Sequence, residues 1–178
     1  MKRYVTVWNV AGLMLFVLGL LILTLSQPGR RSEVVNLPAE ESLSLEPRNA
    51  TLRLYFAKSD ASGFLIEKRQ VVLGPGESVY QRALAELVAG PQQGAAPIIP
   101  QGAPVPDVFV RGATAFVDLP SRYSNLGLGT TGEMLLIYGI AYTLTDQGAV
   151  DEVRFLYNGE PAVTLGHISL LEPIRRRR

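Results

Sequence analysis

His167, the one histidine in the sequence, stands two residues before Ser169, and that pair is the first place to look for nucleophilic chemistry. A hydroxyl becomes a nucleophile when a base takes its proton and a third group orients the base. No Gly-x-Ser-x-Gly turn surrounds Ser169, so the spacing specifies no triad and His167 reads as a hydrogen-bonded structural residue. Hydrolysis by paired carboxylates needs two acids converging on one cleft. The acids to hand are Asp107, Asp118, Glu133, Asp146, Asp151 and Glu152, and each has a plainer place. Glu133 suits a helix start, Asp146 a helix end, Asp151 and Glu152 a turn, and Asp107 and Asp118 strand ends.

A single histidine with no cysteine leaves no metal-ligand spacing and no disulfide. Gly127 and Gly129 are spaced like part of a phosphate loop, but the lysine of that motif is missing. The formal charge of +1 gives no electrostatic reason for nucleic acid as a partner. Tyr55, Phe109, Phe116, Phe155 and Tyr157 fall at strand positions rather than along a basic strip. The sequence therefore nominates no catalytic, cofactor-binding or metal-ligating residue, and the expectation is a protein that is not an enzyme.

The elements that would position these residues centre on 130–146. Thr130 and Glu133 have capping-box spacing, and Met134, Ile137, Tyr138, Ala141 and Leu144 recur along one face of a helix. Gly139 in its interior costs about 1 kcal/mol against Ala, which predicts close approach to a sheet. Ahead of this helix, 51–57 alternates as a half-buried strand and 64–73 reads as a charged edge strand. Ser78 and Gln81 suggest a second capping box, opening a helix to Ala89 with Tyr80, Leu84, Leu87 and Val88 inward and Gln81, Arg82 and Glu86 outward. The long loop 92–106 either offers a partner surface or tucks Ile98 and Ile99 under the domain. A hairpin at 107–119 turns at Arg111 and Gly112, 121–129 reads as a flexible loop, and 150–157 is the last core strand before an Asn158–Gly159 turn. Residues 161–172 return as a short strand or wrap the domain.

Residues 5–25 are apolar apart from Asn9 and long enough to cross a bilayer, with Lys2 and Arg3 before them and Arg30 and Arg31 after. The expected organisation is a transmembrane anchor over 1–26, with a cleavable signal peptide ending at Ser26 as the competing reading. A flexible linker follows over 27–50, then a folded domain over 51–172 and a basic tail over 173–178. The small excess of positive charge before the apolar run keeps the start cytoplasmic and exports the rest. Arg175 to Arg178 could touch anionic lipid or cell-wall polymer, or simply be solvated.

Several pieces in order resemble the GerMN domain of sporulation and spore-germination proteins. They are 52–56, 82–91 followed by Ile98, Ile99 and Pro100, the hairpin ending at 115–119, 133–145, 153–157, 159–161 and 165–169. The resemblance implies an α+β fold of two helices packed on a small mixed or antiparallel sheet in β-β-α-β-β-α-β order, here preceded by the transmembrane helix. It further implies a module outside the bacterial cytoplasmic membrane that binds or assembles rather than catalyses. An envelope protein or cell-wall polymer is the expected partner, and a homo-oligomer is the assembly such a module allows. This chain departs from the family in having no cysteine for lipidation and one copy of the domain rather than two. A cell-wall-active accessory or hydrolytic enzyme is the alternative.

Overall fold

Alternating apolar residues start the domain. In a computed structural model, which describes Met14 and residues 46–175, β1 (Arg48–Ala57) buries Leu52, Leu54 and Phe56 completely. The strand begins three residues before the stretch that alternation marked, because Arg48, Asn49 and Ala50 pair with Leu73, Val72 and Val71. β2 (Phe64–Leu73) runs antiparallel along the whole of β1. These two strands form a sheet of their own, so the expected single sheet is in fact two, and β2 is an edge as its charges suggested.

The first helix, α1 (Val79–Ala89), starts where Ser78 caps it, its hydroxyl accepting from the amides of Tyr80 and Gln81. The other half of the expected capping box does not form. Gln81 reaches instead to the start of the next strand, donating to Pro106 O at 3.1 Å and accepting from Val108 N at 3.0 Å. Tyr80, Ala83, Leu84 and Leu87 are buried. Gly90 ends the helix with φ 91°, a conformation that favours glycine. The loop after it is tied down, since Ala57 and Ala96 exchange backbone hydrogen bonds and Ile98 and Ile99 lie in the core. Those isoleucines are therefore core residues and not a partner surface.

The second sheet holds β3 (Asp107–Arg111), β4 (Thr114–Leu119), β5 (Glu152–Tyr157), β6 (Glu160–Pro161) and β7 (Ile174–Arg175). β3 and β4 make the expected hairpin, and β4 and β5 are parallel. A parallel pair needs a long crossover, which α2 (Gly129–Thr145) provides. β6 and β7 both pair antiparallel with the far side of β5. Glu152 thus lies in a strand and not in the expected turn, and the basic tail begins as β7. Between β4 and α2 the expected flexible loop contains a 3-10 helix, Ser121–Asn125, which buries Tyr123 and directs its hydroxyl to Pro104 O at 2.9 Å. Removal from water pushes the Tyr123 phenol up to about 12.

α2 is apolar on nearly every side, so its periodicity selects the buried face poorly. It turns Leu136, Ile137, Ile140, Ala141 and Leu144 inward, while Met134, expected inside, is exposed. Gly139 sits where the helix presses on β1: an added Cβ would come within 2.5 Å of Ile98 Cδ1 and 3.2 Å of Tyr55 O. The helix seals the edge of β1, with Thr143 Oγ1 accepting from Tyr55 N at 3.0 Å and Gln147 Nε2 donating to Arg53 O at 3.0 Å. Both helices touch both sheets, α1 through β1 and β3 and α2 through β1, β5 and β7. Apart from Met14, the expected transmembrane segment lies outside the described residues, among which no helix is long and apolar enough to cross a membrane.

Candidate functional site

Met134, Tyr138 and Tyr142 recur every four residues, so they line up along the side of α2 turned away from the core. That stripe forms one wall of an open groove of about 540 Å³. The β1–β2 turn with Phe64 makes a second wall, and Pro173, Ile174 and Arg175 make a third. Tyr142 is half-buried here against other rings. Its centroid is 5.7 Å from those of both Tyr55 and Phe64 in edge-on contact, and Tyr138 lies 5.8 Å away. Such edge contacts fix the rings while leaving apolar area open to a ligand. Met134, 47% exposed, gives the rim an adaptable apolar side chain.

An ion pair fixes Arg175 in the groove's third wall. Arg175 donates to Glu152 Oε2 from Nε at 2.8 Å and from Nη2 at 2.6 Å, while Thr114 donates to Oε1 at 2.9 Å. Bonding to Arg175 foremost, against desolvation, holds the Glu152 carboxyl below its usual range. At the end of α2, Asp146 accepts from the Tyr55 hydroxyl at 2.6 Å. Arg53 Nε is 3.0 Å from the same oxygen, close enough for an ion pair but without the alignment of a hydrogen bond.

Glu133 and His167 make the arrangement closest to catalytic chemistry. Glu133 is buried and does not cap its helix. Its carboxylate accepts from the amides of His167 at 2.9 Å and Ile168 at 3.0 Å and lies 3.0 Å from His167 Nδ1. Burial pushes this carboxyl up, but the Ile168 and His167 amides with the imidazole outweigh it, so it sits below the usual range. A carboxylate behind an exposed imidazole can fix its tautomer. Among the described residues no hydroxyl hydrogen-bonds to the ring, and Ser169 pairs by its backbone with Thr164. A small hollow of about 160 Å³ adjoins the pair, lined in part by Tyr123, Gly127 and Gly129. The arrangement clamps the 164–169 segment onto the first turns of α2. Sequence reasoning missed the clamp because Glu133 and His167 are 34 residues apart and Glu133 had a local role at hand.

A third cluster is structural. Arg69, one of the charges that mark β2 as an edge strand, is buried beneath α1 and pairs with Glu67 and, at 2.6 Å, with Glu86. It also donates to Gly90 O at 3.1 Å, and Glu86, expected to face outward, is held at 2.9 Å by Arg82 as well. Desolvation disfavours both charges, and their mutual bonding prevails, lowering Glu86 and raising Arg69. Of the acids, Asp118 accepts from Gly159 N at 3.1 Å, Asp107 stands opposite it in the hairpin, and Asp151 precedes β5. Among the described residues no three acids or histidines gather as a metal site.

With this geometry in view, comparison with known proteins is informative. A sequence search of curated proteins finds no match. Among solved structures, the tandem GerMN domains of the sporulation protein GerM from Bacillus subtilis are similar at TM-score 0.54 and 21% identity. That likeness covers 71% of this chain and 45% of the other, so the chain spans about half the tandem protein's length. The first GerMN domain of the same protein is similar at TM-score 0.53 and 21% identity, over 70% of this chain and 93% of that one. At these identities the likeness establishes the α+β fold. The Germane family model, described as sporulation and spore germination, matches residues 53–163, from the middle of β1 to just past β6. Since that match spans more than half of the sequence and its fold is that of GerMN structures, the chain belongs to the Germane family.

Proposed function

We propose that the chain is a single-pass, membrane-anchored module of the bacterial envelope, whose exported GerMN domain binds or scaffolds other envelope components. The family's link to sporulation and germination gives the process in which that role is sought. One observation carries the reading. The buried ionisable groups described above are spent on joining elements to each other, while the apolar groove along α2 stays open. A domain built this way offers surface for contact and little machinery for bond breaking. The anchor rests on the apolar run 5–25 and the tether on the Pro-containing stretch after it.

Crosslinking in intact membranes followed by capture of the full-length chain tests the reading. A defined set of envelope proteins or wall fragments is expected, recovered from the exported side. Turnover of muropeptides by the purified chain would overturn it in favour of a wall-active enzyme. A reporter fused after Arg178 and active only in the cytoplasm would reverse the orientation.

A further inference from the structure

We propose that β2 pairs edge to edge with β2 of a second copy of this chain, antiparallel about Arg69, so that the two hairpins join in one sheet. The assignment goes beyond the reading of the chain as a module for other envelope components and stands on the β1–β2 sheet.

The sealed edge of β1 fixes where the unpaired groups point. Arg53 O and Tyr55 N bond to α2, and Ala57 exchanges bonds with Ala96, so these residues turn their backbone away from β2. In an antiparallel ladder, opposed residues either both face inward or both face outward. Ile66 stands opposite Tyr55, and Lys68 opposite Arg53. Ile66, Lys68 and, by alternation, Gln70 and Val72 therefore turn their N–H and C=O groups to the far side of β2. Among the described residues no strand pairs with that side and these groups have no hydrogen-bond partner. Because α2 closes the other edge of this sheet, pairing at β2 ends with two copies.

Side-chain pattern selects the occupant and the register. The same four residues expose their side chains on the outer face, Ile66 by 46% and Val72 by 60%. Along the strand they run apolar, polar, polar, apolar, which matches its own reverse. Pairing centred on Arg69 sets Ile66 opposite Val72 of the second copy and Lys68 opposite Gln70, and it engages all of the outward groups. A slide by two residues one way sets Lys68 on Lys68, and the other way sets Lys68 on Val72. Like charges directly opposite destabilise a ladder, so Lys68 guards the edge against the wrong register. On the core side Arg69 falls opposite Arg69, and each guanidinium is already neutralised by Glu67 and Glu86. A foreign strand satisfies the same hydrogen bonds, but the reversed match is what the chain itself supplies.

The sequence has no cysteine, so introduced thiols report the register. The full-length chain is made as Ile66→Cys, Val72→Cys or Gln70→Cys, reconstituted in zwitterionic liposomes singly or mixed, and oxidised. Opposed residues lie about 5.5 Å apart at Cα, within disulfide reach, and diagonal ones lie beyond it. Ile66→Cys mixed with Val72→Cys should therefore give linked dimers about tenfold faster than Ile66→Cys mixed with Gln70→Cys, or than any variant alone. With the first mixture, Gln70→Lys in both copies should slow linkage severalfold and Gln70→Glu should speed it, by repelling or pairing with Lys68. Linkage of that mixture no faster than that of Val163→Cys, an exposed position off this sheet, would overturn the assignment. So would equal linkage through Gln70→Cys, or the same rate with Lys and Glu at 70. If the mixture fails while membrane crosslinking captures envelope partners, this assignment falls and the binding-module reading stands. If it links as expected and no other partner is captured, the dimer stands and that reading falls.

Discussion

The Glu133 carboxylate takes the backbone N–H groups of both His167 and Ile168, at 2.9 and 3.0 Å. One buried side chain near the start of α2 thereby anchors a segment that would otherwise have few ties. Glu133→Ala orphans both amides and should cost about 1–3 kcal/mol in chemical denaturation. Acid also weakens the clamp. The folded-state carboxyl lies below its ordinary value of 4.5, so its stabilisation is full above that value and is lost as pH falls through the depressed one. Glu67, Glu86 and Glu152 are lowered too and lose stability in the same direction. Glu133→Gln should therefore shrink the acid-side slope of stability without abolishing it, as read from melting temperature against pH.

Gly139→Ala should destabilise the domain although alanine is the better helix former. The added methyl would lie 2.5 Å from Ile98 Cδ1 and 3.2 Å from both Phe64 Cε1 and Tyr55 O. Overpacking costs about 1–3 kcal/mol and outweighs the gain of about 1 kcal/mol in propensity. A lower thermal midpoint is expected, and a raised one would mean that the helix can move off β1.

Arg69→Met should be among the most damaging single changes. It leaves Glu67 and Glu86 facing each other under α1 with one cation, Arg82, still on Glu86. Breaking one side of a buried pair costs about 3–5 kcal/mol. Mutating all three residues to apolar ones of similar volume should recover much of the loss in urea unfolding.

Thr143→Val keeps the shape of a buried side chain and removes the acceptor for Tyr55 N. A loss of about 1–3 kcal/mol is expected, with Thr143→Ser retaining the bond and costing less. Amide exchange at Tyr55 provides the local readout, and it should accelerate in the valine variant alone.

The elements that local pattern specifies well are those whose apolar residues have one neighbour to satisfy. Leu52, Leu54 and Phe56 alternate against polar residues and are all buried, and the Ser78 cap and Gly90 stop stand where the sequence puts them, whereas the hairpin turns at Gly112 and Ala113, one residue later than expected, because Arg111 still pairs with Thr114. Met134 shows where pattern fails: a helix apolar all round does not reveal which stripe meets the sheet. Glu86 was expected to face outward because nothing local reveals that Arg69 of β2 lies buried beneath α1. The groove was not visible, since its walls join α2 to Phe64 and Ile174, far away in sequence. Glu133 misled because its spacing from Thr130 imitates a cap, whereas its partners arrive after β5.

The sealed edge of β1 bears on how the chain is made. Tyr55 N finds its acceptor 88 residues later, and Arg53 O finds its donor 94 residues later. During synthesis the β1–β2 hairpin emerges well before α2 exists, so for that interval it presents an open strand edge to its surroundings. A truncated product ending before α2 would keep that edge permanently. The nascent domain is thus most prone to aggregate in the interval between hairpin and helix, and folding is complete only when the second half of the chain closes over the first.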